Sequence, residues 1–472
     1  MPKKVIIIGA GITGLSAGWT LAENGCSVKV IEKSDLIGGM SATFNHKDYY
    51  LDYGPHKIFT VMQHIMDRIK QLFQPEELLC VRKTSKVRIG GKYLKFPLGL
   101  RDIFLGLGLW TGFKCGIGYF WALCKNISGG ARSRSYEEWV MNRFGKPIYN
   151  LVLGPYAAKI WGPPHTLSHE LAETRIAAPN LLEMIKQMIF GYKKGSPVIN
   201  AEEFYYPSKG FGDISLKMAD KIRSHKGKII NNTVVSKFEF DRNSNIRKIH
   251  YSNGKHEEIS ESDLVISTIP LIDLISLLPK KDFRDIKDTA AKLKTRGLIL
   301  FYIELDVDRV IDSNWLFFPE ARYKFNRIFE QKAFNKNMVK DGKTVLCIEI
   351  TCDTDDSLWS AGDNEIFAMI EPQLKEAELI KGKIIEYFTK RIRNGYPVYD
   401  IHYKSNLTAT MKYMLQFKNL YSVGRQGGFS YTGMADSMDI GIYTGKFIID
   451  GRDKHSEWIA YTDRFYNYIV VD

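Results

Sequence analysis

Three glycines and one acid near the start of the chain have the spacing of a dinucleotide site. Gly9, Gly11 and Gly14 form a GxGxxG pattern, and Glu32 follows 18 residues after Gly14. In this pattern the first glycine permits a tight turn, the second lets the backbone approach a pyrophosphate, and the third lets a helix pack on a strand. The acid lies where it can accept hydrogen bonds from ribose hydroxyls. The spacing therefore predicts that the chain binds a dinucleotide.

The neighbouring residues supply the elements that this pattern needs. The β-branched run at residues 5–8 is typical of a strand buried on both faces. Apolar residues then recur at helical spacing until Gly25, and residues 27–31 indicate a second strand that ends at Glu32. We expect a Rossmann-like βαβ unit in which the helix N-terminus offers free N–H groups to the pyrophosphate.

A second pair of glycines distinguishes flavin from nicotinamide dinucleotides. Gly38 and Gly39 follow the acid closely, and backbone without side chains there can wrap the extended pyrophosphate of FAD. The alternative is a simple Gly-Gly turn. We predict FAD as the cofactor, and the candidate residues for binding it are Gly9, Gly11, Gly14, Glu32, Lys33, Gly38, Gly39, Met40, Pro55, His56, Val235, Gly424, Arg425 and Met434.

Two later segments could complete the cofactor site. Gly54-Pro55 breaks the chain as a loop approaching a flat ring would, so His56 either faces the flavin or is an ordinary loop histidine. Near the C-terminus a strand leads into Gly424-Arg425, and Arg425 could pair with the pyrophosphate. The helix that follows begins near Met434, where N–H groups could stabilise negative charge on a reduced flavin.

Composition sets limits on the protein class. The 472 residues exceed what one core usually serves, and 44% hydrophobic with 25% charged residues argues against both a disordered chain and a polytopic membrane protein. The charge of +13 suits a basic surface or anionic lipid, and no nucleic-acid motif accompanies it. Six widely spaced cysteines without CxxC predict neither a metal site nor a disulfide framework. With no signal peptide expected, we predict a cytoplasmic protein, with a peripheral position on the inner face of the membrane as the alternative.

Residues 98–127 are unusually apolar and aromatic. Two runs are separated by Lys114, and each is about half the length that spans a membrane, which is ~20 residues. Flanking basic residues and abundant Trp and Phe suit insertion at a membrane interface. The alternative is a helical hairpin buried within the substrate domain.

The order of the patterns predicts an α/β fold with interleaved domains. We assign residues 1–75, 205–285 and 415–450 to a discontinuous Rossmann-like FAD-binding domain of the GR2 type, because the buried strand at 263–270 returns to its sheet. Residues 76–204 would form a helical insertion facing the substrate or the membrane. Residues 286–414 would supply the sheet of a mixed α+β substrate domain, with a charged helical stretch at 363–395.

Taken together, these motifs resemble those of the amine-oxidase-like flavoprotein superfamily, nearest to UDP-galactopyranose mutases and protoporphyrinogen-oxidase-like proteins. The resemblance covers nearly the whole chain and rests on Gly9 to Gly39, Tyr53 to His56, Tyr149 through Trp161-Gly162, Arg327 to Lys332, Tyr396-Pro397-Val398 and Gly424 through Tyr431. It implies catalytic roles for His56, Arg327, Tyr396 and Tyr431, and substrate binding by Trp161, Arg327 and Tyr396. The alternatives are a structural salt bridge for Arg327 and packing roles for the aromatic residues.

The resemblance leaves the reaction open. In the mutases, paired arginines hold a diphosphate, yet this chain has Ala177-Ala178-Pro179 shortly after Arg175-Ile176, and a tyrosine expected near Ile350 is missing. We therefore expect an FAD-dependent oxidoreductase that passes a hydride from a small-molecule substrate, hydrophobic or glycan-biosynthetic, to the flavin. A redox-neutral sugar-nucleotide mutase and a non-catalytic flavin-binding protein are the alternatives. The sequence indicates no oligomeric state.

Overall fold

The computed structural model describes residues 4–98, 102–127, 133–176, 202–279 and 284–470. One sheet has five parallel strands drawn from distant parts of the chain. Their order is Leu420–Ser422, Leu264–Ser267, Lys4–Ile8, Ser27–Ile31 and Lys228–Ile230. The βαβ unit predicted from the glycine pattern is confirmed, with the helix Ile12–Glu23 joining the two strands.

The first strand lies in the middle of this sheet and is buried on both faces. Val5 and Ile7 pack into one hydrophobic core, whereas Ile6 and Ile8 pack into a second core on the other side. Alternate residues of a strand point to opposite faces, so a continuous β-branched run is what such a position requires.

The two ends of the chain interlock around the first helix. Ile12–Glu23 packs against Met434–Ile449 and against Asp213–Ser224. Glycine makes the first of these contacts close, since a Cβ placed on Gly441 would overlap the Ser16 hydroxyl. The first helix is therefore positioned by residues that lie more than 400 positions later in the sequence.

A second, seven-stranded sheet forms the other large unit. Its order is Ile384–Pro397, Thr295–Leu305, Thr344–Cys352, Arg327–Glu330, Trp315–Phe317, Ser85–Ile89 and Lys92–Lys95. Neighbouring strands are antiparallel except at the pairing of Trp315–Phe317 with Ser85–Ile89. Three small sheets join Val235–Phe240 with Ile246–Tyr251 and His256–Glu258, Thr43–His46 with Tyr49–Asp52, and Leu78–Arg82 with Glu203–Pro207.

The remaining helices of the described residues connect or cover the sheets. They are Gln63–Lys70, Leu109–Ile127, Tyr136–Phe144, Lys146–Ile148, Gly154–Trp161, His169–Arg175, Leu271–Ser276, Arg284–Ala291, Ser357–Ser360, Asp363–Glu376, Tyr403–Met414, Gly424–Gly427 and Lys454–Thr462. Among the described residues, two segments are π-helical, Asp102–Gly106 and Tyr149–Leu153.

The apolar segment does not form the two separate runs that the sequence predicts. Lys114 does not interrupt it, and Leu109–Ile127 is one continuous helix. Its large side chains are exposed, so the alternative of a buried hairpin is wrong. In the described ranges, no helix combines the length and apolarity needed to cross a membrane.

Two further expectations about secondary structure are wrong. The charged stretch 363–395 is helical only to Glu376, and Ile384–Pro397 is instead an edge strand paired with Thr295–Leu305. Its charges are accommodated because an edge strand exposes one side to solvent. The insertion at 76–204 also begins with strands, two of which extend the seven-stranded sheet. The division into domains stays a prediction, and part of the insertion lies outside the described residues.

Candidate cofactor and substrate site

The glycine loop is shaped so that backbone, and not side chains, lines a small concavity. Gly9 has a φ of +103°, which favours glycine, and a Cβ on Gly14 would overlap the Gly9 carbonyl oxygen. A Cβ on Gly11, by contrast, would meet no protein atom within 4 Å. The space beside Gly11 is therefore open, as the approach of a pyrophosphate requires.

The second glycine pair closes the other side of this concavity. Gly38 forms a parallel bridge with Gly11, and its N–H donates to the Ala10 carbonyl at 2.8 Å. Gly39 follows with a φ of +58°. The helix Ile12–Glu23 starts beside this bridge without a side-chain cap, so its first N–H groups point at the open space. The cradle fits an anion at a helix N-terminus.

Glu32 is oriented at the end of its strand by three hydrogen bonds. One carboxylate oxygen accepts from the Ala10 N–H at 2.8 Å, and the other accepts from the Ser34 N–H at 3.0 Å and hydroxyl at 2.9 Å. A carboxylate offers about four acceptor positions. Glu32 thus keeps capacity to accept from a ribose hydroxyl, the role predicted for it.

Three other residues predicted to bind the cofactor are Val235, Lys33 and Met434. Val235 begins a strand in the three-stranded sheet, two residues after Thr233, whose N–H donates to the Glu32 carbonyl at 2.9 Å. Lys33 is exposed. Met434 is the first residue of its helix, and Asp436 in the same turn accepts from the Gly433 N–H at 2.8 Å. Burial raises the pKa of Asp436 to about 6.

His56 is held in one tautomer on the loop after Gly54-Pro55. Its Nε2 lies 2.9 Å from the Met40 carbonyl oxygen and 3.2 Å from the Tyr53 carbonyl oxygen, so this nitrogen donates. Burial lowers the pKa of His56 to about 4, which keeps the ring neutral at pH 7. The ring stacks on Phe211 at a centroid distance of 4.8 Å. The His56 loop thus connects to Met40, directly after the second glycine pair.

Arg327 is already paired in a cross-strand ion pair. Its Nε and Nη2 donate to the two carboxylate oxygens of Glu349 at 2.7 and 3.1 Å. The two residues are register partners on neighbouring strands, and the Glu349 side chain is buried. A Cβ on Gly54 would lie 3.3 Å from this carboxylate, which places the pair beside the His56 loop.

Two other arginines meet at the ring of Tyr431. The guanidinium carbon of Arg175 lies 3.2 Å from the ring centroid, and that of Arg425 lies 4.5 Å from it. Arg175 donates to the Tyr431 carbonyl at 3.1 Å, while Arg425 donates to the Thr432 and Gly395 carbonyls at 2.6 and 2.8 Å. In the part of the chain that the structure describes, both Nε atoms are buried without a hydrogen-bond partner.

Predicted aromatic residues surround these arginines. Tyr396 and Trp161 lie 5.7 and 6.1 Å from Tyr431 between ring centroids. The buried Trp161 Nε1 is also without a partner within the described ranges. Burial raises the pKa of Tyr396 well above its usual range, so its hydroxyl stays protonated. We refer to Arg175, Arg425, Tyr396 and Tyr431 as the arginine–tyrosine cluster.

The structure thus brings together most of the predicted substrate residues and adds two that sequence analysis missed. Trp161, Tyr396 and Tyr431 are neighbours, with Arg327 influencing the pKa of both Tyr396 and His56. The family pattern was aligned so that its second diphosphate arginine should follow Arg175-Ile176, and Arg175 itself was therefore not identified as a site residue. Glu349 was detectable, since an acid inside the buried strand 345–350 needs a partner.

Arg425 is a member of the arginine–tyrosine cluster. Two of its nitrogens donate to the backbone carbonyls of Thr432 and Gly395 beside that cluster. Its pairing with the pyrophosphate stays a prediction. Gly424, by contrast, is close to the first helix, because a Cβ there would lie about 3 Å from the Thr13 side chain.

Comparison with known proteins agrees with this architecture. A family model described as an NAD(P)-binding Rossmann-like domain matches residues 7–74. A probable UDP-galactopyranose mutase from Klebsiella pneumoniae is 28% identical over 167 residues, covering 34% of this chain and 41% of that protein. An L-amino-acid oxidase from Crotalus adamanteus is 41% identical over 70 residues, covering 15% of this chain and 14% of that protein. The chain thus matches less than half the length of these curated relatives.

Solved structures match over much more of the chain. A reduced UDP-galactopyranose mutase covers 100% of this chain and 98% of its own, with a TM-score of 0.82 and 22% identity. A putative protoporphyrinogen oxidase from Exiguobacterium sp. 255-15 covers 95% and 99%, with a TM-score of 0.73 and 16% identity. The predicted fold class is confirmed, as is the similarity in fold to UDP-galactopyranose mutase and protoporphyrinogen oxidase structures.

Proposed function

We propose that this chain is an FAD-dependent enzyme whose substrate carries a phosphate or diphosphate group, as sugar nucleotides do. The observation that carries the proposal is the arginine–tyrosine cluster, in which two partly buried guanidiniums share one aromatic ring. Arg175 and Arg425 donate to backbone carbonyls, and within the described residues neither guanidinium forms a salt bridge. Such a site is poised for an anion.

Electrostatics favour an anionic ligand over a neutral one. Buried charges are costly unless they are paired, and backbone carbonyls compensate a guanidinium only in part. An incoming phosphate would supply the missing charge, and its oxygens could accept from the free Nε groups of Arg175 and Arg425. The unpartnered Trp161 Nε1 adds a neutral donor beside them.

The cofactor part of the proposal rests on the glycine cradle. Gly11, Gly38 and Gly39 leave backbone-lined space at the start of the first helix, and Glu32 lies at the end of the adjoining strand. When bound, FAD supplies transfer of a hydride or an electron pair at its isoalloxazine ring. The protein's own contribution is then to bind, orient and keep water away.

Residues between the cradle and the cluster would orient the ring and the substrate. His56 is neutral and donates to carbonyls of its own loop and of Met40, so it is suited to hold that loop and not to exchange a proton near pH 7. Tyr396 retains its proton and can donate to a substrate oxygen.

The reaction type has two candidates. Arg175 lies beside Arg425 and provides a second arginine for a diphosphate. This pairing favours a redox-neutral sugar-nucleotide mutase. Arg327, however, has one edge of its guanidinium saturated by Glu349, which favours an oxidoreductase acting on a different substrate. In either case the anion would be held by the same cluster.

The experiment is a binding and turnover assay on purified, FAD-loaded protein. UDP and UDP-sugars are titrated while the flavin absorbance is followed, with uridine as the uncharged control. We expect UDP and UDP-sugars, but not uridine, to perturb the flavin spectrum in a saturable way. Equal responses to uridine and UDP would contradict an anion site.

Turnover then separates the two reactions. A mutase converts a UDP-sugar under argon with photoreduced flavin, and the flavin remains reduced throughout. An oxidoreductase bleaches the oxidised flavin on mixing with substrate and consumes an acceptor in equal amount. Flavin that responds to no phosphorylated compound in either state would refute the proposed function.

A further inference from the structure

The helix Leu109–Ile127 is built with its large apolar side chains on the outside. Leu109, Trp110, Phe113, Ile117, Phe120 and Trp121 have relative exposures between 43% and 73%. At ~100° per residue these six positions fall within an arc of roughly 120°, so they form one continuous strip. We call this strip the aromatic face.

The opposite side of the same helix carries small residues and is buried. Cys115 and Ala122 are buried, and a Cβ on Gly118 would overlap the Pro147 ring, so the helix packs closely on Lys146–Ile148. A helix in a water-soluble protein normally buries its large apolar residues and exposes its polar ones. Here the arrangement is inverted, and the exposed strip is larger than scattered surface residues would produce.

Charge indicates what covers this face. Residues 103–136 contain no Asp or Glu but include Lys114, Lys125, Arg132 and Arg134. Lys114 lies 5.1 Å from the Trp110 ring centroid, at the edge of the aromatic face. Trp and Phe beside Lys without intervening acids is the composition of helices that lie in the headgroup region of anionic membranes.

We infer that the aromatic face docks the protein on an anionic lipid bilayer. The helix would lie along the surface, with Trp110, Phe113 and Trp121 inserted below the headgroups and Lys114 at phosphate level. A spanning orientation does not fit, since no described helix is long and apolar enough to cross. The inference is independent of the proposed reaction and of flavin binding.

One helix lies between Leu109–Ile127 and Arg175 of the candidate site. Tyr136–Phe144 packs against both Leu109–Ile127 and His169–Arg175, and the latter helix ends at Arg175 of the arginine–tyrosine cluster. A protein bound through the aromatic face would therefore have this side of the site near the lipid surface.

Vesicle flotation tests the inference on the full-length, FAD-loaded protein. We compare vesicles of phosphatidylcholine alone with vesicles that also contain phosphatidylglycerol. The wild type should float with the anionic vesicles, and the double substitution Trp110→Ser and Trp121→Ser should lower its partition coefficient by about tenfold or more. Lys114→Glu should weaken binding to anionic vesicles and lower the salt dependence of the binding that remains.

Two exposed apolar residues elsewhere give the matched control. The double substitution Val61→Ser and Ile401→Ser removes two exposed apolar side chains that lie far from the helix in sequence. It should leave flotation unchanged. Circular dichroism and flavin content verify that each variant folds. Wild type that fails to float, or a Trp110→Ser, Trp121→Ser variant that floats equally well, overturns the inference. A different outcome would assign the aromatic face to a second copy of the chain: the wild type does not float but self-associates with rising concentration, and the double variant does not self-associate.

Discussion

Arg175 stacks on Tyr431 with its guanidinium carbon 3.2 Å from the ring centroid, and its Nη2 also donates to the carbonyl of the same residue. The two residues are 256 positions apart. Stacking fixes the plane of the guanidinium, so the donors on its edge point in a defined direction before any ligand arrives. This preorganisation is the basis of the first prediction.

Replacing Arg175 should weaken binding of phosphorylated ligands. We expect Arg175→Ala to raise the Kd for UDP by about tenfold to a hundredfold, since a charge-assisted hydrogen bond is lost in a buried setting. Arg175→Lys should recover little of this affinity because lysine lacks the planar fork. Isothermal calorimetry on the FAD-loaded protein measures the effect, with exposed Arg242→Ala as the control. An unchanged Kd in Arg175→Ala would exclude this residue from the anion site.

Two alanine substitutions in the glycine loop should have different effects. A Cβ at Gly11 enters open space, so Gly11→Ala should leave the stability of the flavin-free protein unchanged while weakening FAD binding by about tenfold or more. A Cβ at Gly14 overlaps the Gly9 carbonyl, so Gly14→Ala should destabilise the fold itself. Thermal melting of the flavin-free forms and FAD titration separate the two. Normal FAD affinity in Gly11→Ala would argue against the cradle.

Glu349 should stabilise the fold by compensating Arg327. Glu349→Gln leaves a largely buried guanidinium without its counter-charge, and we expect it to lower the free energy of unfolding by about 3 kcal/mol. Arg327→Met combined with Glu349→Leu should cost less than the sum of the single changes. The exposed pair Arg223–Asp220 provides the control, where Asp220→Asn should cost below about 1 kcal/mol. Urea denaturation measures each variant, and strictly additive losses for Arg327→Met and Glu349→Leu would contradict the coupling.

His56 should make the stability of the flavin-free protein depend on pH. Its pKa is about 4 in the fold, below the ordinary value of 6.5, so between these values the unfolded chain binds a proton that the native protein does not. The contribution of His56 is fully present above pH 6.5 and is lost as the pH falls towards 4. At pH 5 the loss is about 2 kcal/mol relative to pH 7.5.

The variant His56→Gln keeps an amide donor for the Met40 and Tyr53 carbonyls but does not titrate. Its stability should therefore fall less steeply than that of the wild type between pH 7.5 and 5, as measured by urea midpoints at each pH. Parallel pH profiles for the two proteins would show that His56 is not held neutral.

The parts of the molecule that sequence patterns predicted are those set by local spacing. Residues 4–32 contain their own turn, helix and strand signals, so the βαβ unit and the placement of Glu32 followed directly. The edge strand Ile384–Pro397 was mistaken for helix because its alternate charges and apolar residues resemble an exposed helix when its pairing partner is unknown.

The contacts that build the candidate substrate site could not be predicted in the same way. Arg175 meets Tyr431, and Arg327 meets Glu349, only after separate segments have packed together. The orientation of Leu109–Ile127 has the same origin, since either side of an apolar helix can face inward until its packing partner is known. Close approach at Gly118 determines which side is buried.

The interlocking of the chain ends has a consequence for biosynthesis. The sheet that carries the glycine cradle receives its last strand from Leu420–Ser422, and the helix Met434–Ile449 supports the first helix from behind. While a ribosome is still translating the middle of the chain, the N-terminal unit lacks both neighbours. The nucleotide would thus be bound only after residues 420–449 have been synthesised, and a product truncated before residue 420 would lack a complete nucleotide-binding fold.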